Sequence, residues 1–286
     1  MIREAGLQDA EMLEGFLARH PDTSMFLRDN LAQHGVGHGT HPQSTRFFIS
    51  PAFGKVAGVV GLTKGEYLLC QIPGSSADHD FARALAGCRV QGMTGDAAQT
   101  ARLLRACGLR DPALFDLNHT EPLLKLDLAR IRVDAACQIR KTGAGDEALL
   151  VAWFEAYLTE TGLSQPGNTG FARARAEAAI AAQSTVRLLV VEGEAVAMAA
   201  LNAQVADWVQ VGGVYVPKSQ RNRGYGRKMT AALLAEARAL GATVALLFAN
   251  NPAAAAAYRA IGFEQVGTYR VALLAKTVTL APQVVS

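Results

Sequence analysis

The residues best suited to chemistry form a basic, glycine-containing segment, residues 221–228 (RNRGYGRK). An apolar run at residues 209–216 precedes it and an amphipathic pattern follows, so the sequence predicts a strand, a tight loop and a helix start. The first turn of a helix leaves N–H groups unpaired and carries partial positive charge, which favours anions. Gly224 and Gly226 allow the backbone to approach a phosphate without a Cβ in the way. We expect an anion site here, with a pyrophosphate as its ligand; a solvated basic loop is the alternative.

A second segment follows the predicted helix. Residues 244–248 are apolar, as in a buried parallel strand, and Asn251 and Pro252 are of the types preferred at the N-cap and the first position of a helix. The helix is predicted over residues 253–260 and carries Tyr258 close to its end. The pattern therefore predicts a strand and a short helix with one phenol, directly after the anion-binding unit.

The two segments resemble the two acyl-CoA motifs of the GCN5-related N-acetyltransferases (GNAT). R-x-x-G-x-G opening a helix, at residues 221–226, is similar to the pyrophosphate loop of that family, and N-x-x-A-x-x-A-Y-x-x-x-G-F, at residues 251–263, is similar to its second motif. The loop has neither the Gly-Lys-Ser/Thr end of a Walker A motif nor the GxGxxG order of a dinucleotide site. The Gly212-Gly213 pair predicts a bulge in the preceding strand, which in the family binds the pantetheine arm.

This resemblance implies acetyl-CoA as co-substrate and N-acetyltransferase activity toward a primary amine. The amine would attack the thioester directly while both substrates are bound. Tyr258 would face the thioester sulfur and protonate the departing thiolate, and the N–H of Val214 or a neighbour would bind the developing oxyanion. The expected acyl-CoA contacts are Val214, Tyr215, Val216, Arg221, Asn222, Arg223, Gly224, Tyr225, Gly226, Arg227 and Asn251.

The general base and the acceptor stay open at this point. Asp207, Glu160 and Glu192 are the acidic candidates for the base, each also interpretable as a surface charge, and a chain of waters could do the same work. Trp153, Tyr157 and Glu160 share a helix face where the family usually has its acceptor wall, although such an aromatic stripe is also common in cores. We expect the acceptor to be a small-molecule or peptide amine.

The chain also repeats itself at a constant offset of 137 residues. This self-similarity predicts two tandem GNAT-like domains of the α/β class, each a mixed central sheet flanked by helices, with bounds at residues 1–130 and 131–286. The recurring residues are Ile2, Arg3, Asp9, Leu13, Phe16 and Leu17, matched by Ile139, Arg140, Asp146, Leu150, Trp153 and Phe154.

The first half lacks the residues that would hold acyl-CoA. Residues 73–80 (PGSSADHD) bring acids to the place where phosphate would bind, and Leu104 stands where the second half has Tyr258. We therefore expect a degenerate first domain that supports the structure, closes one side of the substrate cleft or binds a regulator.

Composition narrows the remaining classes. The 286 residues carry a net charge of +3 and are half hydrophobic, without a run approaching the roughly 18 apolar residues of a membrane span. The first residues lack the basic-then-apolar order of a signal peptide, so we expect a cytoplasmic protein without a membrane partner. The basic loop lacks the interleaved aromatic residues of a nucleic-acid platform, so we expect no nucleic-acid partner. The oligomeric state stays open.

Cysteines and histidines predict no metal site. Three histidines lie among glycines with loose spacing and no companion ligand, namely His34, His38 and His41. Four cysteines are scattered beside apolar runs and indicate reduced core thiols, namely Cys70, Cys88, Cys107 and Cys137. Two other functions stay open: an acyl-CoA-binding regulator without turnover, and a nucleic-acid binder whose affinity would fall steeply with salt.

Overall fold

The computed structural model describes residues 1–37, 39–52, 55–74, 76–131, 138–164, 169–182 and 184–282. The predictions for His38 and Cys137 lie outside these residues. The strands are β1 (Arg3–Glu4), β2 (Thr45–Ala52), β3 (Lys55–Thr63), β4 (Tyr67–Gln71), β5 (Arg89–Asp96), β6 (Phe115–Asp127), β7 (Gln138–Lys141), β8 (Arg187–Val191), β9 (Glu194–Val205), β10 (Trp208–Tyr215), β11 (Val244–Phe248) and β12 (Glu264–Thr279). The helices are α1 (Ala10–Leu17), α2 (Pro21–His34), α3 (Asp78–Ala84), α4 (Ala97–Ala106), α5 (Glu147–Glu160), α6 (Thr169–Ile180), α7 (Tyr225–Ala239) and α8 (Pro252–Arg259).

The chain forms two compact units. The first unit comprises Met1–Glu121 together with Gly267–Ser286, and the second unit comprises Pro122–Val266. This division departs from the predicted cut between residues 130 and 131. The reason is strand pairing: the end of β6 pairs with β11 of the second unit, and β12 pairs with β5 of the first. Residues 123–128, which lie before the predicted cut, therefore belong to the second unit.

The first unit is a mixed sheet covered on both faces by helices. Its strands lie in the order β1, β2, β3, β4, β5, β12 and the beginning of β6, with β4 and β5 parallel. Alternate residues of β2 point to opposite faces: Phe47 joins Leu13 and Leu27 of α1 and α2, whereas Phe48 joins the core containing Phe81 of α3. Burial on both faces follows from the period of two along a strand.

The second unit repeats this arrangement. The end of β6 is followed by β11, β10, β9, β8 and β7, with β10 and β11 parallel. One core contains Met229 and Leu233 of α7 together with α8, and the other contains Leu150 and Phe154 of α5 together with α6. The expected α/β class, with a mixed sheet between helices, is confirmed. None of the described helices is long and apolar enough to cross a bilayer.

Local sequence signals placed most elements of the second unit correctly. Residues 244–248 form a strand with the predicted bounds, and the predicted helix 253–260 corresponds to α8 within one residue at each end. The helical spacing of Met229, Leu233 and Ala237 predicts that Leu240 shares their apolar face, and this prediction was wrong, because Leu240 is 81% exposed. The helix ends at Ala239, so Leu240 turns away from the core before Gly241 adopts a left-handed φ of 103°.

The two units share one local motif at the predicted offset. Arg3 binds the Asp9 carboxylate through both terminal nitrogens at 2.6 and 2.7 Å, and Arg140 binds Asp146 in the same way at 2.7 Å twice. In each case a glycine N–H three residues earlier also donates to the carboxylate, at 2.8 Å. Arg3 and this N–H lower the pKa of Asp9 to about 2. The matching geometry supports the proposed duplication.

Candidate active site

Strand β10 separates from its parallel neighbour before it ends. Its pairing with β11 stops at Val211, whereas β10 continues to Tyr215, and its register with β9 shifts between Gly212 and Tyr215. A Cβ on Gly212 would collide with the side chain of Asn202, and Gly213 has a φ of 61° that favours glycine. The predicted bulge is therefore present, and it opens a gap beside Val214.

The basic loop leads directly into α7. Gly224 occupies the position before the helix in a left-handed conformation, with φ 77° and ψ 8°, and no side chain caps the first turn. The N–H groups of the first turn of a helix lack carbonyl partners within the helix. Because α7 has 15 residues, this end also carries the positive end of a full helix dipole. The loop and helix start have the form that an anion site requires.

A single cavity of about 520 Å³ joins the strand gap to the helix start. Eleven of the twelve predicted site residues line it; Arg223 is exposed and does not. The sequence missed Gln220, and it gave no role to the alanines of α8, whose small side chains leave the cavity open. The lining consists of Tyr157, Glu160, Thr161, Val214, Tyr215, Val216, Gln220, Arg221, Asn222, Gly224, Tyr225, Gly226, Arg227, Asn250, Asn251, Ala253, Ala254, Ala257 and Tyr258.

Tyr258 is held on the cavity wall by the short helix α8. Asn251 caps this helix, with its Oδ1 accepting from the N–H of Ala254 at 2.8 Å, and Pro252 occupies the first turn, as predicted. The Tyr258 ring packs edge-on against Phe263, with 6.1 Å between ring centres, and only 8% of the residue is exposed. The phenol is therefore fixed in orientation by its surroundings.

Arg221 and Glu160 form an ion pair across the cavity. Arg221 Nη2 lies 2.5 Å from Glu160 Oε2, and Arg221 Nε donates to the carbonyl of Val216 at 3.0 Å. The guanidinium also lies over the Tyr215 ring, 5.9 Å from its centre. Burial and the nearby Glu160 charge raise the pKa of Tyr215, so this phenol stays protonated at neutral pH.

Of the acidic candidates for the base, Glu160 alone lines the cavity. Asp207 accepts a hydrogen bond from the Thr243 hydroxyl just before β10 begins, and Glu192 lies in the turn between β8 and β9. In the aromatic stripe of α5, Tyr157 reaches the cavity, whereas Trp153 is a core residue that packs against Tyr215 at 5.9 Å.

In the first unit, side chains of α3 and α4 take part in hydrogen bonds at the end of β4. Where β4 ends, the N–H of Ile72 donates to Gln99 of α4, and Arg102 donates to Asp78 at 2.9 Å and to the carbonyl of Ile72 at 2.7 Å. Leu104, at the position of Tyr258, is buried in the core. Both backbone groups of Ile72 are thus paired within the protein.

The described residues contain no group of three or more His, Cys, Asp or Glu side chains that could hold a metal ion. His34 and His41 stack with 4.3 Å between ring centres. Burial raises the pKa of Cys70 and Cys107 to about 12, so both thiols are protonated at neutral pH. These two cysteines are free and buried, and Cys88 is free and partly exposed.

Both the sequence and the fold are similar to those of known proteins. Residues 149–263 match the model of the Acetyltransferase (GNAT) family. A Drosophila protein of known structure aligns with a TM-score of 0.64 at 15% identity, covering 96% of this chain and 98% of its own. A GNAT-family acetyltransferase from Colwellia psychrerythraea gives 0.53 at 13% identity, covering 96% and 99%. A GCN5-related N-acetyltransferase from Sphaerobacter thermophilus gives 0.54 at 14% identity, covering 99% and 96%. No curated protein matches the sequence.

The structural similarities, at identities of 13–15%, establish the fold, whereas the family match indicates the activity. Members of this family transfer acyl groups from acetyl-CoA. The resemblance predicted from the two motifs is confirmed for residues 149–263, which match the GNAT family and so support an acyltransferase enzyme.

Proposed function

We propose that the protein is an N-acetyltransferase that moves the acetyl group of acetyl-CoA to a primary amine by direct attack, with both substrates bound together. The observation that carries the proposal is the cavity itself, because one continuous space joins the anion-binding start of α7 to the gap in β10 and to Tyr258. A site that only held a phosphate would need neither the gap nor the phenol.

The residues at one end of the cavity fit a pyrophosphate. The first-turn N–H groups of Tyr225, Gly226 and Arg227 would donate to phosphate oxygens, and Arg221 and Arg227 would add charge-assisted contacts. An ideal Cβ on Gly226 would lie 3.6 Å from Val216 on a wall of the cavity, so glycine keeps this surface open. Asn222 and Asn251 would complete the polar wall. Arg223 is exposed and does not line the cavity, so it would add only to the positive charge around the site.

The residues at the other end fit the reacting thioester. Acetyl-CoA supplies the activated acyl group when bound. The backbone of Val214 and Val216, on the diverging part of β10, would bind the pantetheine arm, and the N–H of Val214 would stabilise charge on the acyl oxygen. The Tyr258 hydroxyl would donate a proton to the departing sulfur. Proximity of the two substrates supplies much of the remaining rate.

The proposal includes the organisation and setting of the chain. We infer two tandem GNAT-like domains, of which the first has lost its acyl-CoA site, because Gln99 and Arg102 bond the backbone of Ile72 where β4 ends. We also infer a cytoplasmic enzyme whose partner is a small-molecule or peptide amine rather than nucleic acid or a membrane. The small net charge of +3 supports this choice of partner.

Calorimetry and an amine panel together test the proposal. Titration with acetyl-CoA should give one site per chain and a higher melting temperature, since a ligand confined to the folded state stabilises it. A panel of primary amines should contain at least one that accelerates thiol release from acetyl-CoA. Two equivalent sites would contradict a degenerate first domain. Binding without release for every amine would favour the regulator, and no binding at millimolar acetyl-CoA would overturn the proposal.

A further inference from the structure

We propose that Glu160 selects a positively charged acceptor amine and that its ion pair with Arg221 withholds this carboxylate until acyl-CoA binds. The inference rests on the proposed function, because it assigns Arg221 to the phosphate side and Glu160 to the acceptor side of one cavity. Glu160 is a positioning residue in this scheme and takes no part in bond formation.

The first step concerns the charge of the cavity wall. Among the described residues that line the cavity, Glu160 is the only acid, and α5 supplies it together with Tyr157. Glu160 is the last residue of α5, where the helix dipole disfavours a negative charge. The helix therefore does not stabilise the negative charge of Glu160. Its charge is balanced by Arg221 at 2.5 Å and by Lys218, whose Nζ lies 3.9 Å away.

The second step concerns Arg221, which has two possible anionic partners. Its Nε is tied to the Val216 carbonyl and its guanidinium rests on Tyr215, so the head group is held at the cavity between Glu160 and the start of α7. A guanidinium binds carboxylate and phosphate with the same planar set of donors. A pyrophosphate at α7 therefore competes with Glu160 for Arg221.

The third step is the consequence for the acceptor. When phosphate takes Arg221, Glu160 loses its closest partner and attracts another cation, and an ammonium group entering along Tyr157 and Thr161 meets this requirement. Coupling of this kind is reciprocal, so an amine cation at Glu160 must strengthen CoA binding by the same factor. Diamines and other amines with an additional positive charge fit this wall better than amino acids, whose carboxylate Glu160 repels.

Calorimetry with CoA tests the ion pair without any acceptor. Glu160→Gln should bind CoA about two- to fivefold more tightly than the parent protein, the range expected for releasing a partly exposed ion pair. The same substitution in an Arg221→Ala background should give no gain. Glu155→Gln is the matched control: it removes the same charge from the same helix, away from the cavity, and should leave CoA affinity unchanged. Equal affinity in Glu160→Gln and the parent would overturn the ion-pair competition.

A second titration tests the cation. At constant ionic strength, 1,4-diaminobutane should tighten CoA binding to the parent severalfold and leave Glu160→Gln unaffected, whereas 4-aminobutanoate should have no effect on either protein. Equal responses of parent and Glu160→Gln to the diamine would overturn the assignment of Glu160 to the acceptor. If the parent failed to bind CoA at all, the proposed function would be wrong, and this inference with it. Melting temperatures of all variants establish that each is folded.

Discussion

A pair of substitutions at Gly224 isolates the electrostatic part of acyl-CoA binding. Gly224 is left-handed, a conformation that Asn and Asp tolerate better than other residues with a Cβ. An ideal Cβ at this position would lie 3.7 Å from the nearest neighbour, Arg227 Nη2, so either side chain has room. Gly224→Asn and Gly224→Asp have the same shape and the same backbone cost. Any difference between them in CoA affinity therefore reports the added charge.

The expected difference follows from the distance to the phosphate. A carboxylate roughly 5 Å from a phosphate charge is repelled by about 3 kcal/mol at an effective dielectric constant of about 20. Solvent and salt reduce this at a partly exposed loop. We expect Gly224→Asp to bind acetyl-CoA about 10- to 150-fold more weakly than Gly224→Asn, corresponding to about 1.5–3 kcal/mol, and the difference to shrink in 0.5 M salt, where the Debye length is about 4 Å.

Isothermal calorimetry on the parent and both variants measures this difference, and thermal melts check the fold. A negative charge at the start of α7 is favourable for the helix, so Gly224→Asp should melt no lower than Gly224→Asn. Weaker binding by Gly224→Asp than by Gly224→Asn, with both folds intact, is thus the expected result. Affinities of the two variants within twofold of each other at low salt would refute the placement of pyrophosphate at α7.

Four further substitutions test the chemistry and the stability of the chain. Tyr258→Phe should lower turnover about 10²- to 10⁴-fold with acetyl-CoA affinity unchanged, and full activity would remove the phenol from the mechanism. Leu104→Ala should lower the free energy of unfolding by about 2–5 kcal/mol and keep turnover per folded molecule. Because Arg3 holds the pKa of Asp9 at about 2, below its ordinary 3.8, this pair stabilises the fold fully above about pH 4 and less as pH falls toward 2. Asp9→Asn should therefore show a shallower fall of the melting temperature between pH 4 and 2, and an unchanged slope would contradict the linkage. Asn251→Ala should lower the free energy of unfolding by about 0.5–2 kcal/mol in urea titrations, through loss of the α8 cap, and an unaltered midpoint would argue against it.

The sequence was most informative where a residue type has one local use. Asn251 and Pro252 marked the start of α8, and Gly212 and Gly213 marked the bulge in β10, because capping and left-handed backbone depend on neighbours only a few positions away. The cavity residues followed from the same local motifs. Glu160 is the instructive case: its type suggested a candidate base, while its partner Arg221 stands 61 residues further along the chain.

The partners of the long strands could not be read from the chain. Strand β6 has 13 residues and β12 has 16, and each contributes residues to both units. Apolar alternation defines which residues of such a strand are buried but not which strand it joins. A cut at residue 130 was the natural expectation for a duplicated sequence, and the exchange of β6 and β12 depends on pairing over more than 100 residues.

Because β12 completes the first unit, the two units become complete at different times during synthesis. The second unit, Pro122–Val266, is continuous and can fold as soon as it has left the ribosome. The first unit cannot, because β5 pairs with residues 269–279, which are made only after the second unit. At about 5–20 residues per second, the first unit waits for roughly 8–30 s with an open edge on β5. The unit that is translated first is therefore completed after the other, and until β12 emerges its open edge on β5 can pair with other chains.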